Sequence, residues 1–167
     1  KDLWNDIEMP TPATFDDHYK GRELTAGDTE MTMDYFSRKD MKMMPPDSLS
    51  RKERIKWLRF GFKPGEIVAP SEDLSREEIR QWKYQKYIKD YLATIKSVDD
   101  NIGRVLEYLK ENGLEENTIV VYASDQGFFL GEHGFFDKRF MYEEALRMPF
   151  IIRYPGKIKP GTIVDDI

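Results

Sequence analysis

The stretch from Ser75 to Asn112 constrains this chain more than any other. Apolar residues recur at Ile88, Tyr91, Leu92, Ile95, Val98, Ile102, Val105, Leu106 and Leu109. Spacings of three and four put them on one stripe of an α-helix, and that stripe must find a partner to bury it. The charged residues between them form a solvated face. Ser75-Arg76-Glu77-Glu78 has the capping-box pattern, in which serine and glutamate satisfy amides that the first helical turn leaves open. Gly113, after Asn112, supplies the stop. The predicted helix is longer than most in globular proteins, so a bend or break is expected around Ser97–Asp100.

The residues after the helix set the fold class. Thr118–Ala123 reads TIVVYA, β-branched and apolar on both faces, as in a strand of a parallel sheet covered by helices. FIIRY, Phe150–Tyr154, is a second strand candidate, bounded by Pro149 and by Pro155-Gly156. Helix, a short turn over 114–117, then strand makes an α/β unit.

Residues 1–70 have a different character. They hold most of the chain's nine prolines, with punctuation at MPTP, MMPP and FKPGE. Short helices are expected near Thr29–Arg38 and Ser50–Phe60, the second with Ser50 and Glu53 as a capping box. The Met-rich run MKMM at 41–44 suits gap-filling core or a loop lid. The chain therefore divides into a connecting region, 1–70, and a unit of long helix plus strand, loop, helix and strand, 71–167.

Composition excludes several functions. The 167 residues suffice for one domain with a sizeable core, and a net charge of −5 gives no electrostatic footprint for nucleic acid or an anionic membrane. No apolar run approaches eighteen residues, so no transmembrane helix is expected. No signal-peptide pattern is present. The first residue is Lys, and the chain is expected to begin inside something longer. There is no cysteine, which excludes disulfides, thiolate metal sites and cysteine nucleophiles within these residues.

The chemistry-bearing residues cluster just past TIVVYA, in SDQGFFLGEHGFFDKRF, Ser124–Phe140. In open α/β sheets, ligands bind beyond the carboxyl ends of strands. Asp125 offers carboxylate oxygens and Gln126 a neutral carbonyl oxygen, a pairing suited to calcium or magnesium. Gly127 allows a sharp turn. Lys138 is a compact positive charge suited to sulfate or phosphate. His133, in GEHG, is a candidate to donate to a substrate oxygen or to shuttle a proton. Together these describe electrophilic stabilisation of a transferring oxyanion ester. Each residue also has a plainer reading. Asp-Gln after a strand is commonly a turn or cap, a single lysine is commonly a surface residue, and a histidine between glycines fits a loop cap. His18, in DDHYKG, has no partner pattern and reads as an exposed loop residue.

Taken together, VVYASDQGFFLGEHGFFDKRFMYEEALRMPFIIRYPG resembles the second signature region of the type I sulfatases, in the alkaline-phosphatase-like superfamily. That family has a strand ending in S/T-D-[HNQ]-G, a G-E-H-G-like loop, a lysine, a helix, and a strand ending near Y-P-G. The D-D-x-[IV]-G-R-[VIL]-L pattern of its long helix matches Asp99 to Leu106. The resemblance runs from Tyr84 to about Gly161 and is most like the bacterial glycan sulfatases of the N-acetylglucosamine-6-sulfatase-like group.

The resemblance implies an α/β fold, part of a mixed, mainly parallel sheet flanked by helices and incomplete in this chain. It implies that Asp125 and Gln126 are calcium ligands and that Lys138 contacts the sulfate, with His133 near the substrate pocket. Gln126 stands where many members have Asn or His. It keeps the carbonyl oxygen on a longer arm. The family nucleophile is a formylglycine made from Cys or Ser in C/S-x-P-x-R, and no such motif occurs here. Nucleophile, further calcium aspartates and other anion-binding residues are therefore expected outside this chain, in a missing N-terminal half of the catalytic domain. The implied activity is hydrolysis of a sulfate ester of a carbohydrate by a periplasmic or secreted parent. Two alternatives stay open: a phosphodiesterase or phosphonate hydrolase of the same superfamily, and a non-catalytic module.

Overall fold

Two helices of more than one turn precede the strands, α1 (Arg51–Arg59) and α2 (Arg76–Glu111), in a computed structural model that describes residues 4, 6–41, 43–59 and 74–165. The FKPGE turn, Phe60 at the end of the expected second helix, and Lys42 of the Met-rich run lie outside those residues. Both helices start as their sequences predict. The Ser75 hydroxyl accepts from the Glu78 amide, and the Glu78 carboxylate accepts from the Ser75 amide at 2.8 Å. Ser50 and Glu53 repeat the arrangement at α1. At the far end of α2, Gly113 takes φ +65° and the Leu114 amide returns to the Leu109 carbonyl at 2.9 Å.

The expected break near Ser97–Asp100 is absent, and α2 runs through all 36 residues. Lys96 pairs with Asp100, and the Asn101 side-chain carboxamide donates to the Ser97 backbone carbonyl at 2.7 Å, so contacts one turn apart brace the stretch. The expected helix over Thr29–Arg38 is also absent. Turns occupy that segment, and Thr32 makes an isolated antiparallel bridge to Phe135. The reason is tertiary: Met31, Met33 and Phe36 each turn inward to fill the core, which one helical face would not allow. A single wide helical turn, Glu23–Gly27, stands just before it.

The strands are β1 (Val120–Ala123), β2 (Phe129–Leu130), β3 (Phe136–Asp137) and β4 (Phe150–Arg153), with the one-turn helix α3 (Glu143–Leu146) before β4. β1 pairs with β4, Val120 opposite Arg153 and Ala123 opposite Phe150. β2 pairs with β3. Both pairings are antiparallel. The α/β class stands, but the parallel, doubly covered setting expected for TIVVYA is not what this chain supplies. Among the described residues β1 has one strand neighbour, and Val121 and Ile151 are exposed.

The core lies elsewhere, in two clusters. Phe15, Met33, Phe36 and Met41 pack on Tyr84 and Ile88 of α2. Ala26 and Met31 pack on Phe129, Phe135 and Ala145. Met41 of the Met-rich run thus fills the core, with Met43 packed against the same cluster, while Met44 is exposed. Lys83 of α2 is buried under the 33–38 turns and donates to the Asp34 carbonyl at 2.7 Å. Burial pulls its ammonium down to about 8, against the pull of the Asp34 carboxylate. The apolar stripe of α2 is buried only at its start, at Ile79, Tyr84 and Ile88. From Ile95 onward it is half-buried or exposed.

Phe129 and Phe135 are both 0% exposed and meet edge to face at 5.4 Å. Phe129→Ala should therefore lower the unfolding free energy by about 3–5 kcal/mol. Urea unfolding followed by circular dichroism measures it, and a loss under about 1 kcal/mol would show that this cluster is not the core.

Candidate active site

The antiparallel pair β1–β4 delivers the chain to Ser124, whose amide still reaches the Pro149 carbonyl at 3.3 Å. The next residues turn away. The Ser124 hydroxyl donates to the Gln126 carbonyl at 2.7 Å, closing a tight loop around Asp125. Gly127 is indispensable here because of closeness. Its amide donates to the Ala145 carbonyl at 2.8 Å, and a Cβ would sit 2.1 Å from the Glu144 carbonyl oxygen and 2.7 Å from that of Arg147. Its φ is not left-handed, so the sharp turn expected from sequence is not the reason for glycine. The SDQG loop is instead seated on the backbone of α3.

That seating leaves the Asp125 side chain in solvent and Gln126 half-buried. Gln126 lines a concavity of about 370 Å³ with Tyr91, Phe128, Glu144 and Arg147. The Asp125 carboxylate accepts no hydrogen bond from the described residues. Both residues therefore present oxygen donors suited to a hard cation. Among the described residues no group of three His, Cys, Asp or Glu could hold a metal alone, so this pair fits calcium only as part of a larger ligand set.

The GEHG loop folds back on itself. The Gly134 amide donates to the Gly131 carbonyl at 2.9 Å, and the Glu132 carboxylate accepts from the Leu130 amide at 2.6 Å. Gly131 and Gly134 have φ of +105° and +67°, and a Cβ at either would strike Tyr84 or Arg80 of α2 at 2.6 Å. Between them His133 is itself left-handed, at φ 56°, a conformation that histidine tolerates better than most residues. Its amide donates to the Thr14 hydroxyl at 3.1 Å, and its carbonyl accepts from the Tyr19 hydroxyl at 2.6 Å. Nδ1 lies 2.6 Å from Asp17, and Nε2 lies 3.9 Å from Glu144. The ring stacks obliquely on Tyr142 at 4.8 Å.

Asp17 is the electrostatic centre of this arrangement. It also receives Arg22 at 2.7 and 3.0 Å and the Tyr19 amide at 2.8 Å. Burial would raise its carboxyl, but the hydrogen bonds from His133, Tyr19 and Arg22 prevail and hold it at about 2. Burial pushes the Tyr19 phenol up to about 12. Sequence reasoning misses Asp17, because its partner is 116 positions away. Its neighbour His18 is exposed, as expected.

Lys138 stands in an exposed turn after β3 with no hydrogen-bond or ion-pair partner among the described residues. Asp137 before it is left-handed at φ 71° and pairs with Arg139 at 2.9 Å. The fold thus brings Gln126 and His133 each near Glu144. No hydrogen bond joins Lys138 to either.

The family model described as Sulfatase matches residues 12–166. An N-acetylglucosamine-6-O-sulfatase of Bacteroides thetaiotaomicron is 42% identical over 179 aligned residues, which is 96% of this chain and 32% of the relative. An endo-4-O-sulfatase of the same organism is 36% identical over 60% of this chain and 18% of its own length. Among solved structures, one of a protein in complex with its substrate D-glucosamine-2-N,6-O-disulfate superposes with a TM-score of 0.75 and 41% identity. It covers 95% of this chain and 35% of that one. The chain spans about a third of the length of the N-acetylglucosamine-6-O-sulfatase and of that solved structure. Its fold is the α/β fold of the alkaline-phosphatase-like sulfatases, represented here by helices and two small antiparallel pairs.

Gly127→Ala should unseat the SDQG loop, because the clash is with backbone that no rotamer change relieves. The expected loss is at least about 1–3 kcal/mol, read as a lowered thermal midpoint. An unchanged midpoint would show that the loop is not packed on α3.

Proposed function

Since this chain belongs to the sulfatase family, we propose that the protein it forms part of hydrolyses a sulfate ester on a carbohydrate, with a sulfated glucosamine as substrate. The observation that carries this reading is the set of polar side chains that follows β1. An exposed carboxylate and a half-buried carboxamide stand on the loop seated by Gly127, and a lysine with no partner among the described residues stands in the turn after β3, all within fourteen residues of sequence. The glucosamine assignment draws on the relative named an N-acetylglucosamine-6-O-sulfatase and on the neighbour bound to D-glucosamine-2-N,6-O-disulfate. A chain 42% identical to the first over nearly its whole length is expected to share that chemistry.

Within this reading the residues have distinct tasks. Asp125 and the carbonyl oxygen of Gln126 hold calcium, together with ligands from outside these residues. Calcium, when bound, orients the sulfate and neutralises part of its charge. Lys138 supplies a mobile positive charge to the sulfate oxygens, and its lack of a partner leaves it available for that task. The nucleophile, a formylglycine, comes from elsewhere in the protein, as does the rest of the catalytic domain. Exposed apolar residues support this. Val98 and Val105 of α2, Val121 of β1 and Phe150 and Ile151 of β4 are each at least 40% exposed, as expected of surfaces that other parts of a larger domain cover. Such an enzyme acts in the periplasm or outside the cell, where sulfated polymers are met.

In the full-length protein, Lys138→Ala should lower kcat/KM toward a glucosamine 6-sulfate by about a hundredfold, equivalent to about 2.7 kcal/mol of lost transition-state stabilisation. Lys138→Arg should recover little of it. Activity above about half of wild type in the alanine variant would remove Lys138 from the anion site. Calorimetric titration with calcium provides a second test. The 167-residue chain alone should bind at roughly millimolar affinity or worse, since strong sites need about six to eight oxygens. The full-length protein should bind far more tightly, and Asp125→Asn there should weaken binding. Micromolar binding by the chain alone would mean it holds a complete metal site.

A further inference from the structure

His133 is gripped at three separate atoms by the segment that precedes α1. Its amide, its carbonyl and Nδ1 are each hydrogen-bonded to that segment, by Thr14, Tyr19 and Asp17 respectively. Asp17 is itself immobilised, since Arg22 contacts both of its oxygens and the Tyr19 amide contacts one. Arg22 then reaches on to the Tyr142 hydroxyl at 2.7 Å, and Tyr142 covers a face of the imidazole. Both partners of the ring are thereby tied to one guanidinium. His133 and Asp17 have side-chain exposures of only 14% and 16%, so water competes weakly for these bonds.

The consequence is chemical. An ionised carboxylate only accepts, so the 2.6 Å contact requires a proton on Nδ1. Rotating the ring by half a turn would put a carbon against Asp17 and forfeit that bond. In the neutral ring Nε2 is then the bare nitrogen. It faces Glu144 at 3.9 Å, and Glu144 lines the same concavity as Gln126 and Ser124. We propose that Asp17 is the positioning residue that holds His133 as the Nδ1–H tautomer, making Nε2 the atom that exchanges protons, beside Glu144 at the edge of the Gln126 concavity. The kinetic part rests on the sulfatase reading, in which the departing sugar oxygen must gain a proton and the entering water must lose one. The tautomer does not rest on it.

Asp17→Asn inverts the arrangement. With the carboxamide oxygen at Oδ1 the Tyr19 amide and one Arg22 bond are kept, and the –NH2 at Oδ2 faces His133 at the cost of the 2.7 Å Arg22 bond to that position. A donor there selects a bare Nδ1 and a protonated Nε2. The test uses the full-length protein labelled with 15N-histidine, with the His133 signals identified by their loss in His133→Gln. At a pH where the ring is neutral, wild type should show a protonated Nδ1 and a bare Nε2, and Asp17→Asn the reverse. On a glucosamine 6-sulfate, Asp17→Asn and His133→Gln should each lower kcat by at least about tenfold with little change in KM. The double variant should be no slower than the worse single, as for groups acting as one unit. A bare Nδ1 in wild type, or an unchanged tautomer in a folded Asp17→Asn, overturns the proposal. So does a reversed tautomer with undiminished kcat. If Asp17→Asn does not fold, the wild-type tautomer and the His133→Gln kcat decide. If wild type cleaves no sulfate ester, the sulfatase reading fails, and the tautomer spectra still decide the role of Asp17.

Discussion

Everything the candidate site needs depends on burying Phe129 and Phe135 against each other. They are the inward members of two Phe-Phe doublets, and the Gly131–Gly134 loop spans the gap between them. Once both rings are inside, β2 and β3 can pair, and the loop is forced back over α2 at Tyr84 and Arg80. Phe128 and Phe136 then point the other way, onto Tyr91 and Phe36. Beyond the doublets Lys138 is left at the surface, while His133, between them, is held half-buried against the aromatic wedge. Rigidity at such a site comes from rings that cannot move without opening a cavity.

The segment that sequence reading treats as connection has a larger part in this than its composition suggests. Its turns contribute Phe15, Met31, Met33, Phe36 and Met41 to the two buried clusters, and its Thr14, Asp17 and Tyr19 hold His133. Long loops that cross a fold often carry function for this reason: they are placed by a scaffold and are free to present side chains at any angle. Here the placement is enforced by Lys83, whose buried ammonium holds the Asp34 carbonyl, and by Tyr84, which donates to the Pro10 carbonyl at 2.8 Å.

The elements that local chemistry determines are legible in the sequence. The serine-glutamate boxes at Ser50 and Ser75, the stop at Gly113 and both strand candidates obey rules that span only a few residues. Asp125, Gln126, His133 and Lys138 stand out because they crowd fourteen residues of sequence beyond a strand. The illegible parts depend on partners far along the chain. The 29–38 turns have the residues of a helix, yet burying three side chains in different directions overrides that propensity. The absence of a break in α2 reflects pairs such as Lys96 with Asp100, which support a helix without marking it. Asp17 and Glu144 have no motif, and only the fold brings them to either side of one imidazole. Gly127 reads as a turn residue, whereas its role is to let two backbones touch.

The length of α2 has a mechanical consequence. At about 1.5 Å per residue a helix of this size is a rod of roughly 50 Å, and its two ends sit in different surroundings. The first third is clamped: Tyr84 holds Pro10, Tyr87 donates to the Phe129 carbonyl at 2.6 Å, and Ile88 is in the core. The remainder shows its apolar stripe to whatever lies over Val98 and Val105. A rod fixed at one end and loaded along the other acts as a lever. The two phenols, Tyr84 and Tyr87, are the points at which that rod is tied to the segments flanking the candidate site.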